Sequence, residues 1–281
     1  YHGVTLHEIP PNGQGIAALI VLGILGHKNI REYRVDSADS LHLQIEAMKI
    51  AFADAYRYVA DPAFMDVKPA NFIDPGYLAE RASLIDMKKA KDPVYGIPPR
   101  GGTVYLTAAD AQGMMVSYIQ SNFQGFGSGI VIPGTGIAMQ NRGYCFTLEK
   151  GHPNEVGGRK RPFHTIIPGF VTEKGKPVMS FGVMGGAMQP QGHVQMMVRI
   201  FDYGQNPQAA SDAPRWRVLG GLKVALEKGF DPAVIKELSA RGHDIQIDAG
   251  SSFGGAQLIY CLNDGYCAGS DHRKDGQAVG Y

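Results

Sequence analysis

A short run of chain breakers divides this sequence into two parts of different periodicity. Residues 90–102 hold Pro93, Pro98, Pro99 and the pair Gly101-Gly102. Proline removes a backbone donor and glycine gives up conformational restraint, so neither a helix nor a strand runs through such a stretch. Upstream the pattern is helical. Residues 1–15 read as extended and end in Pro10-Pro11-Asn12-Gly13, and a short helix is predicted over 15–27. Leu41, Ile45, Met48, Phe52, Ala55 and Val59 recur at three- and four-residue steps, so Ser40 to Val59 reads as a helix with one apolar face, ended by Asp61-Pro62. Another helix is predicted over about 76–88.

Downstream the period shortens. Residues 103–109 and 114–121 read as a hairpin around Gln112-Gly113, with further strands near 128–139, 164–172 and 177–183. A helix over about 188–203 follows, then strands at 215–218, 222–226 and 256–268 and a helix at 231–241. No internal repeat is present. Strands bracketed by helices imply an α+β sandwich of two sheets with helices outside. With 281 residues, 44% of them hydrophobic, the chain is one large domain or two small ones with a substantial core.

Composition narrows the function classes. The net charge of +1, with both signs interspersed, favours neither nucleic acid nor a membrane surface. No window is long enough to span a bilayer as a helix. The chain opens on Tyr rather than Met, so the lack of a signal peptide leaves its compartment open. The 37 glycines are not periodic; they cluster at 125–143, 182–192 and 250–255, which points to tight turns and close backbone approaches. Cys145, Cys261 and Cys267 are too few for a disulfide scaffold. Cys261 and Cys267 flank the turn signal Asn263-Asp264-Gly265, and either face each other across it or stay unpaired. No Cys/His spacing resembles a zinc site, and no cofactor is implied.

The bond between Gly102 and Thr103 carries the sharpest chemical signal. Thr103 opens the strand-like run Thr103-Val104-Tyr105-Leu106-Thr107. A Gly–Thr bond at the head of a strand suits self-cleavage: the hydroxyl attacks the preceding carbonyl, and water then releases an N-terminal Thr. That residue carries its own base, an α-amine with a pKa of about 8. Met184-Gly185-Gly186, some 80 residues on, offers backbone N–H groups that can approach a reacting carbonyl.

Taken together, these landmarks resemble the gamma-glutamyltranspeptidase family of N-terminal nucleophile hydrolases. The resemblance runs in order along the chain. It begins with His42-Leu43-Gln44-Ile45-Glu46-Ala47-Met48-Lys49 and Ala51-Phe52-Ala53-Asp54. Gly102-Thr103, Phe126-Gly127-Ser128-Gly129, Gln140-Asn141-Arg142-Gly143, Lys160-Arg161-Pro162 and Met184-Gly185-Gly186 follow. It ends with Ser270-Asp271-His272-Arg273-Lys274-Asp275-Gly276 and Gly280-Tyr281. It implies a four-layer αββα fold in which residues 1–102 are the end of a large subunit and 103–281 a small subunit. It also implies about as much chain again before Tyr1, contributing further structure and an arginine that grips the substrate carboxylate.

The resemblance assigns roles residue by residue. Thr103 is the nucleophile, Ser121 stands where the family has a supporting Thr, and Gly185 and Gly186 form the oxyanion hole. His164 and Thr165 stand where the family has two serines near the substrate carboxylate, although His164 also reads as a structural hydrogen-bonder. The family's polar acceptors for a glutamyl ammonium are replaced by Phe123, Arg142 and Cys145. Arg142 beside a carboxylate is favourable and beside an ammonium repulsive, unless it serves a structural ion pair. The expected activity is attack on a γ-glutamyl or related acyl amide, with hydrolysis or transfer to an amine. The alternatives are an amidase like the cephalosporin and glutaryl acylases, or an unprocessed, non-catalytic homologue. The partners expected are a small amide substrate, the missing half of the precursor and, as a further possibility, a second copy of the chain. His193, in Gln189-Pro190-Gln191-Gly192-His193, reads as a helix-positioning residue rather than a catalyst.

Overall fold

The computed structural model describes residues 1–93, 102–248 and 250–281. Most of the breaker segment, 94–101, lies outside the described residues. Three helices begin with the same device: Asp74-Pro75, Asn206-Pro207 and Asp231-Pro232 start α4 (Pro75–Ser83), α6 (Pro207–Asp212) and α7 (Pro232–Ala240). In each the first residue's side chain accepts a backbone N–H of the opening turn, and the proline occupies a position whose donor is unused anyway. Ser37 caps α2 (Ala38–Tyr58) through the N–H of Ser40 at 3.3 Å. Helix α1 (Gly15–Gly26) is apolar nearly all round and accordingly lies in the core, with Ile16, Ile20, Val21, Ile24 and Leu25 buried. A short α3 (Pro69–Phe72) links α2 to α4.

The central sheet has five strands, β1 (Thr5–His7), β4 (Gly169–Glu173), β5 (Lys176–Val183), β9 (Ala256–Leu262) and β10 (Gly265–Ser270), in that spatial order and antiparallel throughout. Alternate residues of β5 face opposite layers. Val183 meets Gly192 and Phe181 meets His193 of α5 (Met188–Met197) on one face. On the other face lies the hairpin of β2 (Gly102–Ala109) and β3 (Met115–Phe123). There the Tyr105 ring covers Gly182, where a Cβ would fall 2.4 Å from it, and Thr107 hydrogen-bonds Ser180. A third sheet, β6 (Trp216–Gly220), β7 (Lys223–Glu227) and β8 (Asp244–Asp248), pairs β7 and β8 in parallel. The upstream part is not a separate body: β1 is an edge strand of the central sheet, and α1 packs on α2 and α5.

Several expectations are corrected. Residues 128–139 form no strand and keep only a bridge between Val131 and Ala138. Gly127, Gly129, Gly134 and Gly136 take φ of 70–76°, which breaks the pleat. The strand expected over 164–172 is reduced to Gly169–Glu173, because Gly13 and His164 are bridged instead. Strand β8 was not anticipated. Helix α5 does continue as expected, through a π-helical stretch at Val198–Asp202. Cys261 pairs with Tyr266 and Cys267 with Tyr260, so the two thiols point to opposite faces of the hairpin and both are free. No helix among the described residues is long and apolar enough to cross a membrane.

Candidate active site

The site grows from the stacking of hairpin on sheet. Thr107 sits over Ser180 and Tyr105 over Gly182. Thr103 lies two residues before Tyr105 on β2, and β5 ends at Val183, just ahead of Met184-Gly185-Gly186. Gly102 pairs with Phe123 and Val104 with Gln120, so a bulge places Thr103 opposite Ser121 and Asn122. Bulges re-aim side chains. The Thr103 hydroxyl donates to that of Ser121 at 3.3 Å, and Ser121 Oγ also accepts the Phe123 N–H at 2.9 Å.

Phe123 then turns the chain out of β3 with φ 77°, a conformation that costs a bulky residue energy. It is buried, and the Arg142 guanidinium lies 5.3 Å from its ring centre. Arg142 begins a 3₁₀ turn that ends at Cys145. Thus Phe123, Arg142 and Cys145 form one cluster. Arg142 Nη1 donates to Thr165 Oγ1 at 2.7 Å, whereas its buried Nη2 has no protein acceptor among the described residues. Burial, and then the charge of Arg142, push the His164 pKa down to about 4. Burial pushes the Cys145 thiol up to about 11. At neutral pH the imidazole and the thiol are uncharged, and Arg142 remains cationic although burial lowers its pKa.

Gly185 and Gly186 adopt φ of 122° and 62°, and neither N–H has a protein acceptor among the described residues. Two supports hold this loop. On one side Gln14, fully buried, donates its amide nitrogen to Thr165 O at 2.5 Å and to Gly186 O at 2.9 Å. On the other, Gly254 lies so close that a Cβ there would fall 2.0 Å from Met184 O. The chain leading into β9 is fixed by Asp271, whose carboxylate accepts the Ala256 N–H at 2.7 Å and a buried Arg215 at 2.5 Å. Sequence reasoning missed Gln14. Its signal was a glutamine wedged between Gly13 and Gly15 just ahead of a helix.

His193 lies beneath β5, on the face turned away from Thr103. Its Nε2 accepts the Val183 N–H at 3.2 Å and its Nδ1 meets Glu8 at 2.6 Å, so it orients the strand and does not face the reacting atoms. Away from the site, His42, Glu46 and His243 lie close enough to share a cation. Lys49 already supplies the charge there, donating to Glu46 at 2.8 Å and to His243 at 3.3 Å.

The Thr103 hydroxyl thus stands at the head of the β2–β3 hairpin, paired with Ser121. A family model described as Gamma-glutamyltranspeptidase matches residues 1–281, and the chain belongs to the gamma-glutamyltranspeptidase family. It is 36% identical to the glutathione hydrolase-like YwrD proenzyme of Bacillus subtilis, over 100% of this chain and 54% of that protein. It is 35% identical to the oxamate amidohydrolase proenzyme of Klebsiella pneumoniae, over 99% of this chain and 53% of that protein. The crystal structure of a cephalosporin acylase from Bacillus halodurans superimposes with a TM-score of 0.94 at 46% identity, covering 100% of this chain and 52% of that one. The chain spans about half the length of the curated relatives it matches.

Proposed function

We propose that this chain carries the catalytic part of a self-processing amide hydrolase. The observation that carries the reading is the hydroxyl pair Thr103–Ser121 at the head of the β2–β3 hairpin. Thr103 Oγ adds to the Gly102 carbonyl, the C–N bond breaks to leave an ester, and water hydrolyses it. The freed α-amine of Thr103 then serves as base. Its Oγ adds to the substrate amide carbon, the N–H groups of Gly185 and Gly186 receive the oxyanion, and the proton passes to the leaving amine. Water, or a second amine, releases the acyl group. Ser121 holds the nucleophile in place.

The chemistry around Arg142 favours an acyl donor with a carboxylate and without an α-ammonium. Arg142 offers an unpaired, buried guanidinium edge, flanked by the neutral groups of His164 and Cys145 and next to Thr165. A dicarboxylic monoamide such as a glutaryl amide satisfies that edge, whereas a γ-glutamyl ammonium is repelled by it.

Cleavage divides the chain into 1–102 and 103–281. Helix, sheet and hairpin supply three layers. The outward residues of the hairpin, Val104, Leu106, Val116 and Tyr118, are 45–66% exposed and form an apolar strip. A helical fourth layer from the other half of the precursor covers this strip and completes an αββα sandwich. The test uses full-length precursor. Intact mass should show a fragment beginning Thr-Val-Tyr-Leu, and Thr103→Ala should abolish both cleavage and hydrolysis of glutaryl p-nitroanilide. Cleavage at Gly102 in Thr103→Ala would refute the reading.

A further inference from the structure

Gln14 stands at the N-cap of α1 yet makes no side-chain cap to its own helix. Glutamine is not a favoured cap residue, so local helix stability does not explain it. The loop around it is instead tied to the segment that carries the substrate-binding candidates. Asn12 Nδ2 donates to Pro162 O at 2.6 Å, His164 N to Asn12 O at 2.9 Å, and Gln14 N to His164 O at 2.9 Å. The flanking glycines let the backbone press inward. A Cβ on Gly15 would fall 2.6 Å from Glu8 Cβ, and one on Gly13 would fall 3.2 Å from Ile9. Gln14 is therefore seated from both sides.

Its carboxamide has one consistent orientation. Both neighbours at hydrogen-bond distance are carbonyls, Thr165 O and Gly186 O, so the NH₂ end must face them. Gly186 O also accepts the N–H of Gln189 at 3.1 Å. The loop it belongs to has two successive glycines at positive φ and so little torsional restraint of its own. On this side the restraint comes from Gln14, which joins the Gly186 carbonyl to the backbone of Thr165, opposite the close approach of Gly254. Thr165 in turn holds Arg142.

We propose that Gln14 is a positioning residue. Its NH₂ fixes the Gly186 carbonyl against Thr165, and with it the direction in which the Gly185 and Gly186 N–H groups point during acylation and deacylation. This rests on the reading of that glycine pair as the oxyanion donors. Oxyanion donors act on a position that the ground-state carbonyl does not occupy, so misdirecting them costs turnover more than binding.

The test uses the processed full-length enzyme with glutaryl p-nitroanilide, normalised to Thr103 N-termini counted by mass spectrometry. Gln14→Met keeps the length of the side chain and removes both donors. We expect kcat to fall about 100-fold with KM within about threefold, the scale of a misplaced catalytic group. Gln14→Asn keeps the donors one methylene short and should lose about tenfold, within the range for a partly misplaced group. It also decides the question if Gln14→Met does not mature. A kcat within threefold of wild type in the processed variant, or a rise in KM alone, overturns the proposal; a lower Tm with intact kcat would mark a merely structural residue. Thr103→Ala separates the two readings. Turnover in that variant removes the catalytic reading itself. No turnover there, with wild-type kcat in the Gln14 variants, removes only this inference.

Discussion

Arg142 donates to the Thr165 hydroxyl at 2.7 Å through one terminal nitrogen and keeps the other buried and unpaired. An unpaired buried guanidinium is costly, so a ligand that pairs it gains affinity at that point. In the processed full-length enzyme, kcat/KM for glutaryl p-nitroanilide should exceed that for γ-glutamyl p-nitroanilide. Arg142→Met should lower the glutaryl value by about 10–150-fold, the worth of one hydrogen bond to a charged group. The neutral butyryl anilide should change little. A strong glutamyl preference stimulated by glycylglycine would mean that other residues supply the ammonium acceptors.

Ser121 accepts from Thr103 and from the Phe123 N–H. Ser121→Ala should slow acylation about 10–100-fold through loss of orientation, while Ser121→Thr, which retains the hydroxyl, should stay near wild type. Pre-steady-state release of p-nitroaniline measures this step directly.

The buried chain Lys49–His243–His42 predicts acid lability. His42 Nε2 must donate to Asp86 O, so His42 Nδ1 accepts from His243 Nε2 and His243 Nδ1 accepts from Lys49. Both rings are neutral in this order. Burial, then Lys49, push the His243 pKa down to about 3, and burial lowers that of His42. A folded pKa below the unfolded value, about 6.5, gives stability that is complete above pH 6.5 and drains away as pH falls toward 3. His243→Gln should flatten the dependence of Tm on pH across that window. An unchanged slope would place the acid sensitivity elsewhere.

Asp271 joins a buried Arg215 and the Ala256 N–H, and Arg273 bridges Asp271 at 3.1 Å and Glu227 at 2.6 Å. Burial opposes the Asp271 charge, yet its two arginines and two backbone N–H groups hold its pKa below the usual range. Removing one partner strands the others, so Asp271→Ala should cost about 3–5 kcal/mol in urea denaturation. It should also reduce turnover, because the segment it anchors packs against Met184 and Gly185.

The sequence made the hairpin, the long helix and Gly185-Gly186 legible because each rests on local rules: alternation, a single apolar face, and glycine's freedom at positive φ. The resemblance supplied Ser121, Arg142, His164 and Thr165 as candidates. The structure brings Ser121 against Thr103, and places Arg142 with Thr165 and close to His164. Strand β8 escaped notice because Asp244-Ile245-Gln246-Ile247-Asp248 is mostly exposed and takes its register from β7. Gln14 escaped because its partners lie 151 and 172 residues away, beyond the reach of any local pattern.

Strand β1 would give the proposed cleavage a lasting effect. Thr5, Leu6 and His7 pair with Thr172, Val171 and Phe170, so the proposed cut at Gly102–Thr103 would leave a strand of one polypeptide stitched into the sheet of another. The precursor folds by a first-order process, because both partners belong to one chain. A chain cut there would, once denatured, have to find its strand again by collision, and recovery would then depend on concentration. Processing as proposed would turn reversible unfolding into loss that dilution makes permanent, and the lifetime of the cleaved form would be set by how slowly it opens.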